Sequence, residues 1–258
     1  MKNLIFISTL LAAGTLAAFA TEPTGTYYTD GSKEPQSFTF NNSSTSSYRL
    51  VLETSGTYKN VSITSGANSW TYVTIKSGVT FDGFTFNGLG RGEFIAEVGS
   101  VLGGNIEFLN LDNTDIYSKL SSGTHFSIDS NSSAYFHSCI WNIASVDLTK
   151  PLVEGEGWVG MSSNDTFALN FLSAKDLKEQ TISLVSEKTK VFYRGDYSGF
   201  KSIAITLNGK VVSNYTATLN NDHKTISISR AVPEPSMFGL VAGTLALALA
   251  GTRRRRRK

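Results

Sequence analysis

Apolar and polar side chains alternate with a period of two along most of the chain between residues 36 and 230. Tyr72-Val73-Thr74-Ile75, Phe84-Thr85-Phe86, Ile106-Glu107-Phe108 and Phe126-Ser127-Ile128 each turn every second side chain to one apolar face. That is the pattern of a half-buried strand. Small residues punctuate these runs; Asn41 to Leu50 alone holds seven Asn, Ser or Thr in ten positions. The one segment that reads as a helix is Ala174–Gln180. The expected fold class is all-β.

A loose repeat runs through the first half. Gly56, Gly78, Gly99 and Gly123 are spaced by 22, 21 and 24 residues. Each of the first three is followed by a short strand, a tight turn and a second short strand. One such unit cannot bury its own apolar side chains, but stacked copies can, which predicts a parallel β-helix or solenoid over residues 21–152. An antiparallel sandwich would show short strands at similar intervals.

After Pro151 the character changes. Thr166–Phe171 alternates cleanly, and further strands are expected at Thr181–Val185, Lys190–Tyr193, Ser202–Leu207, Tyr215–Leu219 and Thr225–Ser229. Asn208-Gly209 between two apolar runs is a strong hairpin signal. Residues 153–229 are therefore expected to form an antiparallel β-module covering the open end of the solenoid, where unpaired edge groups need a partner. The layout resembles autotransporter-like β-solenoid passengers.

The two ends say more about destination than the middle does. Residues 1–20 have a basic start at Lys2, an apolar stretch from Leu4 to Leu16, and Ala18-Phe19-Ala20 as a small-x-small site. These are the parts of a secretory signal peptide, cut by signal peptidase after Ala20. At the other end, Pro233 and Pro235 hold Val232–Pro235 extended. Met237 to Thr252 is an uncharged run of 16 residues. As a helix it would reach about 24 Å, short for a ~30 Å hydrocarbon core but sufficient with snorkelling and local thinning. Arg253, Arg254, Arg255, Arg256, Arg257 and Lys258 would then stay on the cytoplasmic side of the inner membrane.

This order resembles the PEP-CTERM sorting signal: Val232, Pro233, Glu234, Pro235 and Ser236, then an apolar helix, then a basic cluster. The resemblance covers residues 230–258. It implies an exosortase-type enzyme that cuts near the motif and passes the protein to the cell surface or extracellular matrix of a Gram-negative bacterium, with exopolysaccharide a possible neighbour. A plain tail anchor with a Pro-Glu-Pro linker is the competing reading.

Charge agrees with this division. The chain carries 23 Lys and Arg against 21 Asp and Glu, but seven of the basic residues lie in the leader and the tail. The rest of the chain holds 16 basic and 21 acidic residues, about −5. A nucleic-acid binder carries its basic excess on the folded body, so that class is set aside. Cys139 is the sole cysteine, so no intramolecular disulfide can form, and a buried thiol is the expected reading.

Catalytic constellations are scarce. His137 and Cys139 would share a face on a strand and could begin a metal site, yet nothing nearby completes one. Glu107, Asp112 and Asp115 lie close in sequence, as do Glu154 and Glu156. Glycoside chemistry needs two carboxyls at a set separation, which sequence proximity does not supply. No cofactor motif occurs, and none is expected. Tyr27, Tyr28, Trp70, Tyr72, Trp141 and Trp158 would stack on sugars if exposed. The expected function is a non-enzymatic surface or matrix protein; the alternatives are a β-helix carbohydrate-active enzyme and a glycan-binding adhesin.

Overall fold

The computed structural model describes residues 26–29, 39–42, 45–111, 113–192 and 199–231. Apart from one 3-10 turn at Ser145–Leu148, its regular elements are all β. The chain winds as a β-solenoid, and each coil contributes one strand to the first side and a strand or bent strand to the other two.

The first side is an eight-stranded sheet of β1 (Thr26–Thr29), β3 (Tyr48–Leu52), β5 (Thr71–Ile75), β7 (Gly92–Ala96), β9 (Asn113–Ile116), β12 (Ser133–Phe136), β15 (Trp158–Met161) and β18 (Lys190–Val191), in that order. All its pairings are parallel. The second sheet begins with β2 (Thr39–Asn41) and three nine-residue strands, β4 (Gly56–Thr64), β6 (Val79–Asn87) and β8 (Val101–Leu109).

Each long strand bends at one left-handed residue: Asn60 (φ 50°), Gly83 (φ 83°) and Gly104 (φ 65°). Glycine and asparagine tolerate that conformation, so the repeat places them at the corner. One strand thus serves two sides of the prism. The later coils open the corner. The first half of β8 pairs with β10 (Lys119–Leu120) and its second half with β11 (His125–Ile128). Beyond these lie β13 (Ile140–Ile143) on one side and β14 (Val153–Gly155) on the other.

Parallel register stacks like upon like in the interior. Tyr58, Phe81, Leu102, Leu120 and Trp141 form one column. Val61, Phe84, Ile106, Phe126 and Val153 form a second, and Ile63, Phe86, Phe108 and Ile128 a third. All are buried, and Phe84 is a hub, its ring 4.7 Å from Phe81 and 5.0 Å from Phe94. Such columns supply the core that no single coil could close.

The solenoid extends further than the sequence suggests. The expected antiparallel module at 153–229 is corrected by parallel pairing of β15 with β18, and of β16 (Thr166–Phe171) with both β13 and β19 (Ser202–Leu207). Insertions after Ile143 and after Phe171 lengthen the coils and erase the period, while each strand keeps the alternation that both sheet types share. Among the described residues, antiparallel pairing is confined to β17 (Gln180–Ser183), β19, β20 (Lys210–Val211), β21 (Tyr215–Leu219) and β22 (Thr225–Arg230). Asn208 and Gly209, both with positive φ, make the expected two-residue hairpin between β19 and β20.

The expected helix at Ala174–Gln180 is a run of turns leading into β17. Asp176 N–H closes a turn on Ser173 O at 3.2 Å, its carboxylate accepts from Ser145 Oγ at 2.8 Å, and seven residues are too few to hold a helix unaided. Among the described residues no helix is long and apolar enough to cross a membrane. The expected signal segment 1–20 and the apolar run Met237–Thr252 lie outside the described residues.

Candidate functional site

The outer face of the eight-stranded sheet gathers the polar and aromatic side chains that the core excludes. Register sets Arg49 opposite Tyr72, Tyr72 opposite Glu93, and Glu93 opposite Asn113. Asn113 and Ser133 stand two residues before the paired Asp115 and Tyr135, and Ser133 pairs with Trp158, which pairs with Lys190. A single row along the solenoid therefore reads Arg49, Tyr72, Glu93, Asn113, Ser133, Trp158, Lys190.

Both ends of that row are built alike. The Arg49 guanidinium lies 5.3 Å from the Tyr72 ring centre, and Lys190 Nζ lies 5.1 Å from that of Trp158. Cation–π attraction of this kind holds an exposed ring in place. Trp70 widens the Tyr72 end, its ring 6.0 Å away and only 19° from parallel. Trp158 is 41% exposed, with the Phe192 ring edge-on at 6.3 Å. Between the ends sit a carboxylate, an amide and a hydroxyl.

A neighbouring row holds Asp115, Tyr135 and Gly160. A β-carbon at Gly160 would meet Tyr135 Cδ1 at 2.3 Å, so the tyrosine ring lies across a position that only glycine leaves open. The row after that carries His137, whose imidazole is stacked on Tyr117 at 4.1 Å between centroids. His137 Nε2 is 3.0 Å from Asp115 Oδ1, and Nδ1 is 3.2 Å from Asp165 Oδ2. Burial disfavours the imidazolium and is the largest single influence, but the hydrogen bonds and charges of the two carboxylates together outweigh it. The His137 pKa is raised above its usual 6.5. Asp165 is likewise opposed by burial, yet hydrogen bonds from Ser138, Ser162 and His137 lower its pKa.

The expectation that His137 and Cys139 share one face of a strand is corrected. Cys139 N–H bonds to His137 O at 2.7 Å in a tight turn that breaks the strand alternation. His137 therefore faces outward, while Cys139 is buried and donates through Sγ to Ile116 O at 3.0 Å. Burial pushes the thiol pKa far up. Among the described residues no group of three or more His, Cys, Asp or Glu is arranged to hold a metal ion.

The acids considered from sequence do not converge. Glu107 is on β8 and Asp115 on β9, in different sheets, and Asp112 lies outside the described residues. Glu154 Oε1 is 3.0 Å from His125 Nε2, out of line for a hydrogen bond, while His125 Nδ1 lies 3.0 Å from Pro151 O. Trp141 is buried in the core, and nothing is described for the side chains of Tyr27 and Tyr28. The sorting residues Val232, Pro233, Glu234, Pro235 and Ser236, the basic residues Arg253–Lys258, and Ala18 and Ala20 all lie outside the described residues.

Sequence reasoning singled out Trp70, Tyr72 and Trp158 but missed Arg49, Glu93, Asn113, Ser133 and Lys190. Their alignment depends on coil lengths, which no local pattern reports. Compared with known proteins, the chain matches no protein-family model, no curated protein and no solved structure.

Proposed function

We propose that this chain is an exported, non-enzymatic envelope protein whose β-solenoid body is delivered to the bacterial surface or extracellular matrix. The observation that carries this reading is the three-part tail: Val232–Ser236, the uncharged Met237–Thr252, then Arg253–Lys258. Such a tail suits a substrate that is threaded outward, held in the inner membrane, and cut by an exosortase-type enzyme near Pro233-Glu234-Pro235. The leader with Ala18 and Ala20 supplies the export step.

The body supports the same reading. Its stability rests on stacked aromatic and aliphatic columns rather than on disulfides, so it does not depend on the redox state of its surroundings. The best-placed acids of the outer face, Asp115 and Asp165, are both engaged by His137, which suits a structural role for them.

Intact-mass measurement of the protein from its own cells tests the proposal. The expected species lacks residues 1–20 and everything beyond the Pro-Glu-Pro region. Replacing Pro233, Glu234 and Pro235 together with alanine should block the C-terminal cut while leaving export intact. A mature chain still ending in Arg253–Lys258 would reduce the tail to a membrane anchor.

A further inference from the structure

We propose that the C-terminal end of the solenoid docks on the headgroups of an anionic bilayer, the membrane in which the tail is held. The inference rests on the tail reading of the proposed function and adds a lipid partner for the body.

Charge is divided along the solenoid. Residues 21–170 hold 7 Lys and Arg against 15 Asp and Glu, about −8. Residues 171–231 hold 9 against 5, about +4. The topology gathers this second group at one end. It supplies β18, last in the eight-stranded sheet, and β17, β22, β21 and β19, last in the other. Lys175, Lys178, Lys188, Lys201, Lys210 and Arg230 are all exposed there. The acids among them are engaged: Asp222 in the turn at Lys224 and Thr225, and Asp176 with Ser145 Oγ. Glu187 lies 3.8 Å from Lys224 Nζ, and Glu179 accepts from Arg230 N–H at 3.1 Å.

The same strands make a cover. The chain after β17 runs alongside β14, with Ser186 N–H bonded to Val153 O at 2.9 Å. Strands β17, β22 and β21 therefore bridge from β14 to β19 across the end of the prism. Ile182, Ile226 and Ile228 turn inward and are buried. Thr181, Ser227 and Thr218 lie in one outward row, with Ser229 and Thr216 in the next. Hydroxyls in the middle, with cations on the surrounding turns and strand ends, suit a layer of phosphate and glycerol groups. Val211, beside Lys210 on β20, is 83% exposed, the most exposed large apolar side chain among the described residues.

The course of the chain selects the partner. Strand β22 ends at Arg230, and Val232–Ser236 are the five residues before the uncharged run at Met237. Fully extended, residues 231–236 reach about 20 Å, so with the tail inserted this end stays within that distance of the headgroups. A surface tethered so closely meets the bilayer at high effective concentration, and a weak electrostatic contact is enough to seat it. Docking would hold Pro233-Glu234-Pro235 at headgroup level, and the cut that removes the tether would also free the body. A soluble polyanion would satisfy the lysines, but it is not tethered and offers no apolar layer to Val211.

The test places the full chain in nanodiscs of phosphatidylcholine alone or mixed equally with phosphatidylglycerol, with an environment-sensitive fluorophore on Val211→Cys. Cys139 is buried, so labelling is confined to the new thiol. The label should brighten and shift to the blue in the anionic discs only, and high salt should reverse the change. The same label on Val98→Cys, at a 72% exposed position in the acidic part, should respond to neither lipid. Lys178→Gln and Lys188→Gln should each lower the docked-to-free ratio roughly fivefold, and Lys59→Gln should leave it unchanged.

An unchanged label in anionic discs, an equal change in both bilayers, or an equal change at Val98→Cys would each overturn the docking. Polygalacturonate that reproduces the change in phosphatidylcholine discs would overturn the lipid assignment in favour of a soluble polyanion. Retention of the chain by phosphatidylcholine discs reads tail insertion by itself, so loss of the anchor is distinct from loss of the docking.

Discussion

His137 Nε2 sits 3.0 Å from Asp115 Oδ1, a carboxylate of the preceding coil. The other ring nitrogen reaches Asp165 beyond the next coil's strand, at 3.2 Å. One imidazole therefore ties three successive coils on the outer face. Parallel pairing alone fixes each coil only to its neighbours, so this link adds cooperativity across a longer stretch of the prism.

The link is pH-dependent, and its sign follows from the raised His137 pKa. The folded chain holds the proton more tightly than the unfolded chain, so the stabilisation is full below the unfolded value of 6.5 and disappears as pH rises through the higher folded value. The thermal midpoint should therefore fall as pH rises from below 6.5 through the higher folded value. His137→Gln should flatten that fall and lower the midpoint on its acid side. Thermal melts of both chains across the window check it; parallel profiles would remove His137 from the account.

Phe84 is the best single probe of the core. Its ring lies within 6.3 Å of those of Phe81, Phe86, Phe94 and Phe108, drawn from two successive coils and two sheets. Phe84→Ala leaves a cavity that coils locked in register cannot collapse to fill, and should cost about 3–5 kcal/mol in chemical denaturation. Phe84→Leu should cost distinctly less.

What the sequence made legible was whatever is local. Thr166–Phe171, Ser202–Leu207 and Tyr215–Leu219 are strands at the residues their alternation marks. The repeated glycines announced coils because Gly78 and Gly99 take a positive φ at one corner, while Gly123 takes one at the corner that Gly83 and Gly104 turn. The later coils were hidden by insertion: the 3-10 turn at Ser145–Leu148 and the turns after Phe171 fill corners that Asn60, Gly83 and Gly104 make with one residue. The outer row was hidden for the same reason. Arg49, Tyr72, Glu93, Asn113, Ser133, Trp158 and Lys190 follow one another at intervals of 23, 21, 20, 20, 25 and 32 residues, a spacing set by the loops and not by the row itself.

Two glycines separate backbone strain from crowding. Gly155 has φ 119°, and a β-carbon there would meet Ile128 O at 1.9 Å. Gly209 also has a positive φ, 78°, but nothing lies within 4 Å of its would-be β-carbon. Gly209→Ala should therefore cost only the conformational penalty, about 1 kcal/mol. Gly155→Ala must in addition push apart β11 and β14, because the obstructing atom is backbone, and should be by far the more damaging in the same denaturation assay.

Cys139 gives a readout of how the coils open. Its Sγ is buried and bonded to Ile116 O, and burial drives the thiol pKa far above its ordinary range, so neither access nor ionisation favours attack. The native chain should be inert to a thiol reagent such as dithionitrobenzoate at mildly alkaline pH and should take up one equivalent on unfolding. The rate in between is informative. If the coil between β12 and β13 opens only with the whole solenoid, labelling will rise with denaturant as steeply as global unfolding does. Phe84→Ala will then accelerate it, although Phe84 lies several coils away. If that coil opens alone, labelling will be shallow in denaturant and unchanged by Phe84→Ala, while His137→Gln, which unties the turn next to the cysteine, will speed it. The comparison of those two substitutions distinguishes a solenoid that melts as one unit from one that frays coil by coil.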